Sequence, residues 1–141
     1  SEIAWPGRMS RIHWPSLNCP TYISGDHNVQ GVESLVEILA QYKWNTLHLV
    51  VGIGADKESS PMLETLSRLK NVQIYLTETP FKGKKIDQYQ LSDIVNQKIK
   101  MKNKEVVDIL NSMNVKKNDL VVITGSLYLI GKVLKLMGSQ H

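Results

Sequence analysis

Four short segments of this 141-residue sequence carry residue types able to do chemistry. Ser24-Gly25-Asp26-His27-Asn28 gathers a carboxylate, an imidazole and an amide in a turn-forming cluster. Gly52-Ile53-Gly54-Ala55-Asp56-Lys57 sets an acid and an amine behind two glycines, and Thr77 to Lys85 is a polar loop holding Lys82, Lys84 and Lys85. Thr124-Gly125-Ser126 offers two hydroxyls where a strand pattern gives way to a helix pattern. A mild net charge of +4 suits a phosphate- or carboxylate-bearing ligand. More specific devices fail on spacing. A Walker A loop needs four residues between its glycines, then Lys and Ser or Thr. Gly125 and Gly131 are separated by five, and Val133, which follows Lys132, cannot ligate magnesium. In the dinucleotide fingerprint a third glycine is required where Lys57 stands. His13, His27, His48 and His141 lack metal-ligand spacing, and the lone Cys19 supports neither a disulfide framework nor a zinc site. The lysine alternation at 98–104 has no interleaved aromatics, which argues against nucleic acid. Each candidate also has a purely structural role open to it. His27 can satisfy a turn carbonyl, Asn28 and Ser126 can be N-caps, Asp56-Lys57 can be a solvated helix start, and Lys82, Lys84 and Lys85 a wet loop.

The elements that would position these residues can be read from periodicity. Hydrophobic residues make up 42% and charged residues 21% of a chain long enough for one domain, 1–141, with a sound core. No apolar run approaches the ~20 residues of a membrane span. With no secretory pattern or sequon in these residues, a reducing cytoplasm is the expected compartment. The first residue is not Met, and the chain reads as an excised domain. Residues 1–20 hold three of the five prolines and two of the three tryptophans, so an extended, turn-rich segment is expected there, with a short strand over Met9–His13. Thr21–Ile23, Thr46–Val51, Val72–Leu76 and Leu120–Ile123 read as strands. The spacing predicts a helix that begins after Asn28 and fades near Tyr42-Lys43, and another capped by Ser59 or Ser60. A third surrounds Leu91, Ile94 and Val95, and a fourth runs through Val106–Met113. The last places Leu127, Ile130, Val133, Leu134 and Met137 on its apolar side. Lys98-Ile99-Lys100-Met101-Lys102 alternates as an edge strand would. Alternating strands and helices imply an α/β fold: a three-layer open, mostly parallel sheet with helices on both faces. Such sheets bind ligands beyond the C-terminal ends of their strands, where all four chemical segments would then meet.

Several segments together resemble one family. Trp5-Pro6-Gly7-Arg8-Met9 is similar to the W-P-G-R-[ML] opening of the C-terminal domain of folylpolyglutamate synthase/dihydrofolate synthase, a branch of the Mur ligase superfamily. Ser24–Asn28 resembles its D-G-A-H-N, Gly52–Glu58 its G-x-x-x-D-K-D, and Thr124–Gly131 its T-G-S-L-Y-L-[IV]-G, in the same order along the chain. Ser24 stands where the family has Asp, Asp26 where it has Ala, and Val29 where a Pro usually follows the H-N pair.

The resemblance implies a Rossmann-like domain of the Mur ligase C-terminal type and an ATP-dependent amide ligase adding L-glutamate to dihydropteroate or folate. An acceptor carboxylate would be phosphorylated, and the glutamate amine would attack the acyl phosphate. ATP and Mg2+ would be held mainly by an N-terminal P-loop ATPase domain, and this domain by itself would be inactive. Arg8, Asp26, His27 and Asn28 are the implied nucleotide contacts. Ser126, Lys57 and Lys82 are the implied glutamate contacts, and no metal ligand is implied. Two other readings stay open: a diverged, non-catalytic binding module of the same fold, and a Mur-type ligase domain acting on a peptidoglycan precursor.

Overall fold

The computed structural model describes residues 9–138. The β-branched and aliphatic runs form six strands: β1 (Met9–Ile12), β2 (Thr21–Ser24), β3 (Leu47–Val51), β4 (Val72–Leu76), β5 (Ile99–Lys102) and β6 (Leu120–Thr124). Among the described residues five α-helices lie between or after them: α1 (Val29–Leu39), α2 (Ser59–Ser67), α3 (Asp93–Lys98), α4 (Val106–Ser112) and α5 (Leu127–Gly138). The sheet order is β1-β2-β6-β3-β4-β5. β1 is antiparallel to β2, and every other pairing is parallel.

Crossover direction decides which helix covers which face. The steps β2→β3, β3→β4 and β4→β5 run one way along the sheet, so right-handed connections put α1, α2 and α3 on one face. The step from β5 back to β6 runs the other way and carries α4 to the opposite face, where α5 joins it. Two cores follow. One combines Leu35, Leu49, Leu63 and Ile74. The other combines Val50, Tyr75, Ile109 and Val133 with Trp14, whose indole N–H donates to Asn111 Oδ1 at 2.8 Å. β3 and β6 are buried on both faces, as expected of central parallel strands. At the far edge, β5 turns Ile99 and Met101 toward the protein and Lys100 and Lys102 to solvent, as its alternation predicts.

Helix boundaries depart from expectation where local bonding intervenes. α1 stops at Leu39 rather than Tyr42, because Gln41 and Tyr42 donate back to Ile38 and Leu39 in tighter i→i−3 turns. α2 is not capped by Ser59 or Ser60: its N-cap is Glu58, which makes no side-chain cap. One of the two N–H groups that such a cap would bind is missing, since Pro61 occupies the third helical position. The Ser60 hydroxyl instead donates to Gln90 O at 3.2 Å.

The end of the sheet where the parallel strands start is closed by a buried polar network. Asp119, just before β6, bonds His48 Nε2 at 2.9 Å and accepts the Thr46 and Lys116 N–H groups at 3.1 and 3.0 Å. His48 Nδ1 meets the Tyr75 hydroxyl at 2.7 Å, tying β3 to β4. Burial opposes ionisation of Asp119, but the His48 bond and the two backbone donors outweigh it and hold the carboxyl below its ordinary value. A lowered carboxyl pKa stabilises the fold fully above the unfolded-state value and loses that contribution as pH falls through the folded-state value. Asp119→Asn is therefore expected to cost about 1–3 kcal/mol at pH 7. In denaturant titrations the gap between wild type and variant should narrow steadily below pH 4. A gap that does not change with pH would remove the ionised carboxylate from the account.

Candidate functional site

At the other end of the sheet, the C-terminal ends of β2, β6, β3 and β4 form one rim. β6 lies between β2 and β3, yet its helix α5 leaves on the opposite face from α1 and α2. A crevice opens at such a switch point. The loops on either side are stitched by their backbones. Gly125 N–H donates to Asp26 O at 3.0 Å, and Gly52 N–H donates to Thr124 O at 3.2 Å. Gly125 has φ = 112°, and a Cβ there would lie 2.5 Å from Gly52 O, so both backbone conformation and space demand glycine.

The β3–α2 and β4–α3 loops are zipped to each other. Ala55 N–H donates to Lys82 O at 2.7 Å, Lys84 N–H donates to Ile53 O at 2.8 Å, and Gly54 bridges Gly83. Lys82 adopts the left-handed region at φ = 49°. A Cβ on Gly83 would fall 2.1 Å from Thr79 Oγ1. Beneath the zipper, the Tyr89 hydroxyl accepts Ile53 N–H at 2.8 Å and donates to Thr77 O at 3.2 Å, and burial pushes its pKa up to about 12.

His27, Lys57, Lys82 and Ser126 share one depression of about 250 Å³ in this rim, together with Asp56 and Tyr128. Four loops separated by up to a hundred residues thus deliver an imidazole, two amines and a hydroxyl to one place. The Ser126 hydroxyl accepts Tyr128 N–H at 3.1 Å, so it caps α5 and retains its own proton to donate. The twelve residues of α5 add a helix N-terminus to the floor. His27 Nδ1 lies 3.3 Å from Gly25 O, which orients the ring. With Asp56 as the one carboxylate, the donor set favours an anion.

The remaining candidates lie elsewhere. Arg8 is outside the described residues. Asn28 is exposed and spends its Oδ1 on Gly31 N–H at 2.8 Å as the N-cap of α1. Asp26 is buried beneath the rim and does not line the depression. Its Oδ2 accepts the Ser24 hydroxyl and, at 3.5 Å, the Thr124 hydroxyl, while Oδ1 is buried with no partner. Burial raises its pKa, and the Ser24 bond only partly opposes this.

Periodicity missed the lip of the depression. Leu127 is expected on the core side of α5, but as the first residue of that helix it projects past the rim and is 42% exposed, and Leu129 takes the core position. Phe81 belongs to no motif and Tyr128 only to the T-G-S-L-Y resemblance, yet their rings meet edge-to-face across the lip with centroids 5.1 Å apart. An exposed aromatic in a polar loop was the available signal for Phe81.

Fold and rim define an α/β domain with an anion-receptive crevice at a topological switch point. Comparison with known proteins makes this particular. The profile of the dihydrofolate synthetase C-terminal domain matches residues 11–136, and the chain belongs to that family. It is 31% identical over 139 residues to the dihydrofolate synthase/folylpolyglutamate synthase of Bacillus subtilis, a match covering 95% of this chain and 31% of that protein. The fold is similar to Mycobacterium tuberculosis folylpolyglutamate synthase complexed with ADP and AMPPCP, with a TM-score of 0.74 at 18% identity over 96% of this chain and 33% of that one. It is likewise similar to Escherichia coli FolC in complex with DHPP and ADP, with a TM-score of 0.73 at 20% identity over 96% of this chain and 32% of that one. The chain spans about a third of the length of the curated relatives it matches. Among the described residues no helix is long and apolar enough to cross a membrane.

Asp26 supplies a test of the rim's electrostatics. A carboxyl whose folded pKa is raised costs stability as pH climbs from its unfolded value through its folded value. Asp26→Asn should therefore gain on wild type in denaturant titrations between pH 4 and pH 8. A variant that loses ground over that range would show the carboxylate to be stabilising.

Proposed function

We propose that this domain forms the amino-acid-binding half of an ATP-dependent amide ligase that adds L-glutamate to a dihydropteroate or folate acceptor. The observation that carries the reading is the convergence of His27, Lys57, Lys82 and Ser126 on one small depression at the strand ends. L-Glutamate brings two carboxylates. Lys57 and Lys82 supply charge for them, Ser126 donates its hydroxyl, and the α5 N-terminus supplies backbone N–H groups. Held this way, the amine is free to face the partner domain. There the acceptor carboxylate is activated as an acyl phosphate at the expense of ATP. The amine attacks the acyl carbon, a C–N bond forms, the C–O bond to phosphate breaks, and inorganic phosphate leaves as the amine sheds a proton. Acyl phosphates are readily hydrolysed, so closing this rim over the partner domain protects the step from water.

The chain's donors are amines, imidazole, hydroxyl and amide N–H, which fit the phosphate oxygens of a nucleotide as well as a carboxylate. Arg8 and His27 are the proposed nucleotide contacts, with Asn28 beside them. Asp26 contributes from below by bracing the loop. Among the described residues no three His, Cys, Asp or Glu side chains are grouped to hold a metal ion. In keeping with the family, we give the P-loop and Mg2+ to an N-terminal domain, expect no turnover from this chain alone, and place the ligase in the cytoplasm. A second reading, a non-catalytic binding module, draws support from one feature: Ser24 and Asp26 are both buried, so no carboxylate of this loop faces the ligand.

In the full-length ligase, Lys57→Ala and Ser126→Ala are expected to raise KM for L-glutamate about tenfold or more, with a smaller change in kcat. Steady-state kinetics with a pteroate acceptor checks this, and an unaltered KM in both variants overturns the assignment of the depression. A full-length protein containing this domain that fails to consume ATP with pteroate and L-glutamate would favour the non-catalytic reading.

A further inference from the structure

Of the large hydrophobic residues exposed among the described residues, namely Phe81, Ile94, Leu127 and Tyr128, three stand at the lip of the same depression. Phe81 and Tyr128 are each 51% exposed, and their rings are inclined at 66°. Scattered exposed apolar residues need no explanation, but clustering of this kind around a polar cavity marks a binding surface. The pair is also held in place. Tyr128 N–H is tied to Ser126 Oγ in the cavity, and Lys82, next to Phe81, is locked in a left-handed backbone by the Ala55 bond. Lys82 Nζ lies 5.3 Å from the Phe81 ring centroid, which sets a cation over the aromatic surface.

We propose that Phe81 and Tyr128 form a stacking subsite for the planar heteroaromatic ring of a ligand whose anionic group enters the depression. The inference deepens the proposed function and rests on it only for the anion-receptive donor set of the depression, which fits phosphate oxygens as well as a carboxylate. Size separates the two parts. About 250 Å³ falls below the range for a drug-sized ligand, so the cavity admits an anionic group and leaves an attached ring outside, against the lip. An edge-to-face pair that is half exposed leaves aromatic surface open to a third ring, and stacking tolerates any flat π-system. A nucleotide base and a pterin share this chemistry.

Phe81 is the only phenylalanine in the sequence, so selective labelling yields a single ring signal. The 141-residue chain carrying labelled phenylalanine is titrated with AMP, with a pteroate, with ribose 5-phosphate and with L-glutamate. The expected result is a ring-current shift of Phe81 with AMP or with the pteroate, and none with the two probes that lack a ring. The probe that shifts it identifies the source. By calorimetry, Phe81→Leu should weaken that probe about tenfold relative to ribose 5-phosphate or L-glutamate, as loss of roughly one stacking contact implies. If neither ring probe moves the Phe81 signal, or if the variant weakens ring-bearing and ring-free probes equally, the subsite is overturned. If L-glutamate does not bind while AMP or the pteroate still shifts Phe81, the glutamate assignment falls and the stacking subsite stands.

Discussion

The geometry of the rim depends on the backbone stitch at the end of β6. A central parallel strand must release its chain between two neighbours whose own loops crowd the same edge. Gly125 does this by turning through φ = 112° with its N–H on Asp26 O, while Gly52 N–H holds Thr124 O from the other side. Because a Cβ would come within 2.5 Å of the Gly52 carbonyl, the β2, β3 and β6 loops approach more closely than side chains permit. That closeness brings His27, Lys57 and Ser126 to one cavity. Lys82 reaches it in a similar way, since its loop is zipped to residues 53–55 by two backbone hydrogen bonds that pair Gly54 with Gly83 in antiparallel fashion.

Such a rim favours anions for reasons that go beyond counting lysines. A formal charge of +4 spread over a surface is weak evidence, and exposed amines are cheaply solvated. Here the amines stand next to a capped helix N-terminus and an oriented imidazole, in a depression with a single carboxylate on its wall. Directional donors fixed by the backbone do not have to be organised when a ligand arrives. The same stiffness extends to the aromatic lip, because Tyr128 N–H is bonded to Ser126 Oγ and Phe81 directly precedes Lys82.

Much of this was legible in local sequence. The β-branched runs of β3, β4 and β6 named themselves, and Asn28 was recognisable as a cap because capping depends on a few adjacent residues. The four loops were legible as strand-end segments once the alternation of elements was seen. Strand order was not, because inserting β6 between β2 and β3 depends on pairing across a hundred residues. The edge strand at 99–102 was legible from its alternation, but the bounds of α3 were not, because it has only six residues and buries Val95 while Ile94 points to solvent at 64% exposure. Leu127 misled because a helix's first residue can extend past the layer that its later turns cover. The burial of Asp26 could not be foreseen either, since a carboxylate two residues from a strand end is ordinarily solvated.

The two ends of the sheet treat buried carboxylates in opposite ways. Asp119 is satisfied by His48 and two backbone donors, and the network it anchors continues through Tyr75 to Gln73, so it fixes β3, β4 and β6 where no ligand is expected. Asp26 has one oxygen bonded and one orphaned, directly under the loop that carries His27. Fully satisfied buried networks rigidify, whereas an unsatisfied buried group is a cost that the surrounding fold must cover. Placing the satisfied network far from the rim and the costly carboxyl beneath it keeps the sheet ordered, while the backbone bond from Gly125 N–H to Asp26 O holds the loop in place over that carboxyl.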